Sequence, residues 1–167
     1  ILFYYRPLGK NKVNQLGSRM HSESGGKFFV HAAKVLHTHD QYEKHLAYVY
    51  GVLCHFALDE TCHGYVEQAV KETGLAHIAV EGELDRKLMI MNGENPVSRR
   101  LTGHIVPSMK NAIIIKDFYR GITAKEVKKA LNGMVFYDRI LVCPSKIKRM
   151  ALYAALKVAG LYYDFHG

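Results

Sequence analysis

Apolar residues recur at helical spacing between Gln41 and Thr73. Leu46, Val49, Tyr50, Leu53, Phe56 and Ala57 are three or four positions apart, so one helix face carries them all. Read as a single element, this stretch is about 50 Å long. Asp40 suits its N-cap, Gly64 is a candidate break, and Gly74 is a natural stop. A helix of that length constrains everything around it, and strand alternation is weak throughout the chain. The fold class expected is therefore all-α. A shorter helix is expected over Gly26–His37, from the stripe of Phe28, Phe29, Ala32, Ala33, Val35 and Leu36. Another is expected over 77–91, with Leu84, Leu88 and Met91 turned inward. Thr123 and Glu126 form a capping box that opens a helix running to about Val142. Pro144 opens the last helix, which ends near Gly160. Residues 1–24, punctuated by Pro7, Gly9 and Gly17, read as a loop-rich entry. With no internal repeat, residues 1–167 are expected to form one domain.

The long helix carries His55, Asp59 and His63 in the pattern H-x3-D-x3-H. Steps of four drift by about 40° in a helix, so all three side chains project from one face. Imidazole and carboxylate are ligands that zinc favours outside thiolate sites. The two histidines lie about 12 Å apart along the axis, too far for one tetrahedral ion. The pattern therefore suits two metals, one for His55 with Asp59 and one for His63. His77 and Glu81 repeat the four-residue spacing at the start of the next helix. If that helix packs antiparallel to the first, His77 and Glu81 join His63. His21, in Met-His-Ser-Glu-Ser, could complete the first site. His31, His37, His39 and His45 read as surface or helix-end residues. Asp59 would be costly to bury unless paired or bound to a cation.

The net charge of +8 favours anionic partners. Arg6, Lys10, Lys12 and Arg19 cluster ahead of His21, where they could steer an anionic substrate. No apolar run approaches the roughly 20 residues of a membrane span, so no transmembrane segment is expected. Cys54, Cys62 and Cys143 are odd in number and widely spaced, which argues against a disulfide framework. A reducing, cytoplasmic location is the expectation. Ile1 heads the chain without features of a signal peptide, so an N-terminal segment is expected to precede it. There is no GxSxG, phosphate-binding loop or dinucleotide fingerprint. Cys62 next to His63 points about 100° away from it and does not form a nucleophile pair.

HFALDETCHGY, followed by HIAVEGELD and preceded by RMHSES, resembles the zinc-dependent phospholipase C family. That family also supplies the catalytic domain of glycosylphosphatidylinositol-specific phospholipase D, and its fold is similar to that of the single-strand-specific zinc nucleases. The resemblance implies a multi-helix bundle with two or three zinc ions. His21, His55 and Asp59 would hold the first ion, and His63, His77 and Glu81 the second. Asp59 would bridge to a third and act as the catalytic carboxylate. The remaining ligands would lie in the segment ahead of Ile1. One departure is internal: the last histidine of the helix pattern comes four residues after Asp59, as in the phospholipase D branch, and Tyr65 stands at the sixth.

The activity implied is phosphodiester hydrolysis by metal-activated water, with phospholipid headgroups as substrate. A zinc nuclease acting on nucleic acid is the first alternative. A non-catalytic, metal-stabilised helical binding domain is the second. The headgroup and the choice between C-type and D-type cleavage stay open.

Overall fold

Helix begins earlier than the punctuation of the entry segment suggests. In the computed structural model, which describes residues 1–7, 9–142 and 144–160, a 3-10 turn at Leu2–Tyr4 leads to α1 (Lys12–Ser22). Asn11 caps α1 by accepting from the amides of Val13 and Asn14, both at 3.0 Å. Its amide nitrogen donates back to the carbonyls of Tyr5 and Gly9 at 3.1 Å. One side chain thus closes the turn and starts the helix. Gly17, read as loop punctuation, lies buried within α1. A Cβ there would come within 3.3 Å of Leu2 and Phe3, so the glycine serves close packing and not a turn.

The other expected helices are present. They are α2 (Gly25–Thr38), α3 (Tyr42–Thr73) and α4 (His77–Met91). α3 runs unbroken through Gly64 and stops before Gly74, whose φ of +70° is the left-handed value that ends helices. Its capping position is Gln41 and not Asp40, since the Lys44 and His45 amides donate to the Gln41 carbonyl at 3.1 Å. An unanticipated α5 (Met109–Lys116) follows, capped by Ser108, whose hydroxyl accepts from the Asn111 amide at 3.1 Å. α6 (Ala124–Leu141) opens with the expected capping box. The Thr123 amide donates to Glu126 at 2.8 Å, and the Glu126 amide donates to the Thr123 hydroxyl at 3.3 Å. α7 (Lys146–Val158) completes the series. No strand occurs among the described residues, and the fold is all-α. None of the described helices is long and apolar enough to cross a membrane.

The chain divides into two compact units, with the division falling inside α3 and inside α6. Unit 1 comprises residues 1–60 and 102–136. Its core joins Leu2, Val13, Ala112, Ile115, Ile122, Val127 and Leu131, with a second cluster of Ala32, Val35 and Phe118. The Tyr48 and Tyr119 hydroxyls meet at 2.6 Å beside both clusters. Burial and the neighbouring Tyr119 raise Tyr48 well above the usual tyrosine range. Burial also raises Tyr119, against the opposing effect of that hydrogen bond. Lys12 pairs with Glu126 at 3.1 Å. Burial pushes that carboxyl up, but the Thr123 amide, Lys12 and the Thr123 hydroxyl outweigh it and hold the group below its ordinary range.

Unit 2 comprises residues 61–101 and 137–167. Val66, Ala79 and Val80 are buried there. Of the residues expected to face inward on α4, Leu84 is half-buried, while Leu88 and Met91 are exposed. Lys148 reaches back to the end of α6, donating to the Arg139 and Val142 carbonyls at 2.7 and 3.0 Å. α7 buries no residue fully. Cys143 and His166 lie outside the described residues, and Cys54 and Cys62 are free thiols.

Candidate metal centre

The four-residue ladder of α3 sets most of the candidate ligands. His55 is exposed and Asp59 half-buried, both in the part of α3 that belongs to unit 1. His21 stands near the C-terminal end of α1, exposed, with its ring 5.3 Å from that of Phe3. It is therefore a helical residue and not a loop residue. The ligand atoms of His21, His55 and Asp59 do not converge to within 4.8 Å as a trio.

In unit 2 the continuation of the ladder meets the next helix. The His63 and His77 rings lie 5.3 Å apart, centroid to centroid, tilted at 51°. His77 Nε2 is 3.1 Å from Oε1 of Glu81. The expected approach of His77 to His63 is thus present. Gly74 permits it by ending α3 three residues before α4 begins. His63 Nε2 is 3.3 Å from Oε1 of Glu67. Glu67 continues the ladder of 55, 59 and 63 by four more residues, and that spacing was the signal by which it could have been found. Asp85, one turn beyond Glu81, is raised by burial and then by the Glu81 charge. A cation held by Glu81 would relieve that repulsion. Two imidazoles and two carboxylates, all reachable by solvent, are donor types that suit zinc, and they stand as neighbouring pairs: no three of their ligand atoms converge to within 4.8 Å.

The basic residues before His21 are placed differently from one another. Lys12 is tied to Glu126 and to the Gly121 carbonyl. Arg6 sits at a φ of +47° with its guanidinium 5.7 Å from the Tyr5 ring. Lys10 lines a hollow with Pro7, Gly9 and Asn14, and Arg19 is exposed on α1.

One trio does converge among the described residues. His39, His45 and Asp117 place a ligand atom each within 4.8 Å of the others. His45 is 2% exposed, which corrects its expected place at the surface. His45 lies in the first turn of α3 and Asp117 at the C-cap of α5, 72 residues apart, so no spacing rule connects them.

The family model described as zinc dependent phospholipase C matches residues 2–133, which is most of the chain. No curated protein and no solved structure matches it. The matched span includes the ladder on α3, His77 and Glu81, and His21. With an all-α fold and a zinc-type donor set at the junction of α3 and α4, the chain belongs to the zinc-dependent phospholipase C family of hydrolases.

Proposed function

We propose that this protein is a phosphodiesterase of phospholipase C type that hydrolyses phospholipid headgroup esters. The observation that carries this reading is the approach of His63 to His77, itself paired with Glu81, inside the span matched by the family. Zinc, when bound, supplies an activated water nucleophile near neutral pH and positive charge against the phosphoryl oxygens. The residues of the chain hold and orient. His63, His77 and Glu81 form the ligand set of unit 2. Glu67, 3.3 Å from His63 Nε2, would orient that ring, as carboxylates do for ligating histidines. His21, His55 and Asp59 form the ligand set of unit 1, with Asp59 as the catalytic carboxylate. Its half-buried position on α3 leaves it open to a cation. Arg19 and Lys10, exposed on and before α1, add positive potential that draws anionic substrate.

The test compares three substrates with and without a chelator: phosphatidylcholine vesicles, a chromogenic phosphodiester and single-stranded DNA. Zinc-dependent release from lipid, abolished by the chelator, supports the proposal. Activity confined to DNA would make the protein a nuclease, and inertness on all three would make it a binding domain. His55→Ala and Asp59→Ala should each lower bound zinc by elemental analysis. Unchanged zinc in both would sink the ligand set of unit 1.

A further inference from the structure

The trio of His39, His45 and Asp117 poses a hydrogen-bonding conflict. His45 Nδ1 lies 2.9 Å from the Gln41 carbonyl oxygen, and its Nε2 lies 3.1 Å from Oδ2 of Asp117. Both partners are oxygen acceptors. A neutral imidazole carries one N–H, so one ring nitrogen would meet an oxygen lone pair to lone pair. His45 is 2% exposed, so its ring has little contact with bulk water. A second proton on the pair removes it, and so does a cation between Nε2 and the carboxylate.

Three features of the surroundings favour a metal cation. His39 Nδ1 lies 3.8 Å from the same Oδ2, so two histidines address a single carboxylate oxygen. Metal bonds near 2.0–2.1 Å give a tetrahedral edge of about 3.4 Å, between those two separations. The Gln41 carbonyl is placed to accept from Nδ1–H, which is how ligating imidazoles are commonly held with the other nitrogen free for metal. A cavity of about 300 Å³, lined by the trio together with Asp40, Ile113 and Ile114, gives the ion an entry and room for a further ligand. Phe118, tilted on His45 at 5.6 Å, and Lys116, 3.6 Å from Oδ1 of Asp117, keep the two inner ligands in place.

We propose that His39, His45 and Asp117 bind a divalent transition-metal ion of the zinc class, at a site additional to the ligands proposed for catalysis. His45 and His55 are about 15 Å apart along α3, so they cannot share an ion. The ion joins the C-cap of α2, the first turn of α3 and the C-cap of α5. Two histidines and one carboxylate leave one tetrahedral position for water or a small ligand.

Cobalt(II) is the probe, because its visible absorption reports tetrahedral coordination. The titration uses protein carrying His55→Ala and His77→Ala, which removes ligands from both proposed catalytic sets. About one cobalt ion per chain should still bind with tetrahedral-type absorption, and adding His39→Ala should weaken that binding by about a hundredfold or more. His39 is exposed, so its loss leaves the core intact, and circular dichroism verifies this. Long-range 1H–15N spectra during a zinc titration should shift the Nε2 resonance of His45. No cobalt binding in the double variant, or binding unchanged by His39→Ala, overturns the proposal. Wild-type hydrolysis is a separate readout, so failure of this site and failure of the catalytic reading are distinguishable.

Discussion

Twelve of the fifteen buried apolar side chains among the described residues lie in unit 1, whereas Val66, Ala79 and Val80 are the three in unit 2. Polar groups follow the same contrast. Unit 1 encloses His45 against Asp117 and Tyr48 against Tyr119. Unit 2 keeps His63, His77, Glu67 and Glu81 within reach of water, with side chains 38–55% exposed. A thick core can hold a polar group only with fixed partners, since an unpaired one is costly away from solvent. A thin one leaves such side chains solvated. The difference teaches that burial is concentrated in one part of this chain, whereas accessible histidines, such as His21 and His55 in unit 1, occur in both.

The largest test of that contrast removes the same side chain from each unit. Leu131→Ala, at 3% exposure in unit 1, should cost about 3 kcal/mol. Leu88→Ala, at 42% exposure in unit 2, should cost less than about 1 kcal/mol. Denaturant midpoints measure both, and equal losses would erase the contrast. Next come two glycines given the same methyl group. At Gly133, on α6 in unit 1, a Cβ would run into the Tyr4 carbonyl oxygen. Gly133→Ala should therefore destabilise by about 1–3 kcal/mol. At Gly64, on the unit 2 part of α3, a Cβ meets nothing within 4 Å, and Gly64→Ala should stabilise by about 0.5–1 kcal/mol. Thermal melts of the two variants should move in opposite directions.

The tyrosine pair sharpens the contrast through pH. Both hydroxyls are raised in the folded state. Their contribution is thus fully present below the unfolded tyrosine value of about 10, and it is lost as pH rises above that. Replacing both with phenylalanine should shrink the alkaline loss of stability, followed by denaturation at stepped pH with tyrosinate absorbance alongside. Equal alkaline losses in both proteins would mean the pair does not feel the burial of unit 1. The smallest effect on the fold is expected at His77. His77→Ala should change metal-free stability by no more than about 0.5 kcal/mol, since its pair with Glu81 is exposed. Zinc should raise the melting temperature of the wild type more than that of the variant. Identical zinc responses would remove His77 from the ligand set.

Much of the fold was legible because its signals are local. The capping box of Thr123 and Glu126, the stop at Gly74 and the bounds of α4 all appear as read. α1 was not legible: Gly17 looks like punctuation until Leu2 and Phe3 are seen against it. α5 was missed because Ala112, Ile113, Ile114 and Ile115 form an apolar run without a helical face. The apolar stripe of α3 was read correctly as a stripe, yet Tyr50, Leu53 and Phe56 on it remain exposed. Periodicity says which residues share a face and is silent on what covers it.

The sequence by itself determined α2, α3, α4 and α6, the capping box of α6, and the ladder of His55, Asp59 and His63, because residues four apart meet through the helix alone. It also carried the pair of His77 and Glu81 for the same reason. Only the tertiary structure decided that His63 meets His77 and that His45 is buried against Asp117. Those contacts join different helices, or depend on what shields a face from water, and both follow from packing between distant parts of the chain.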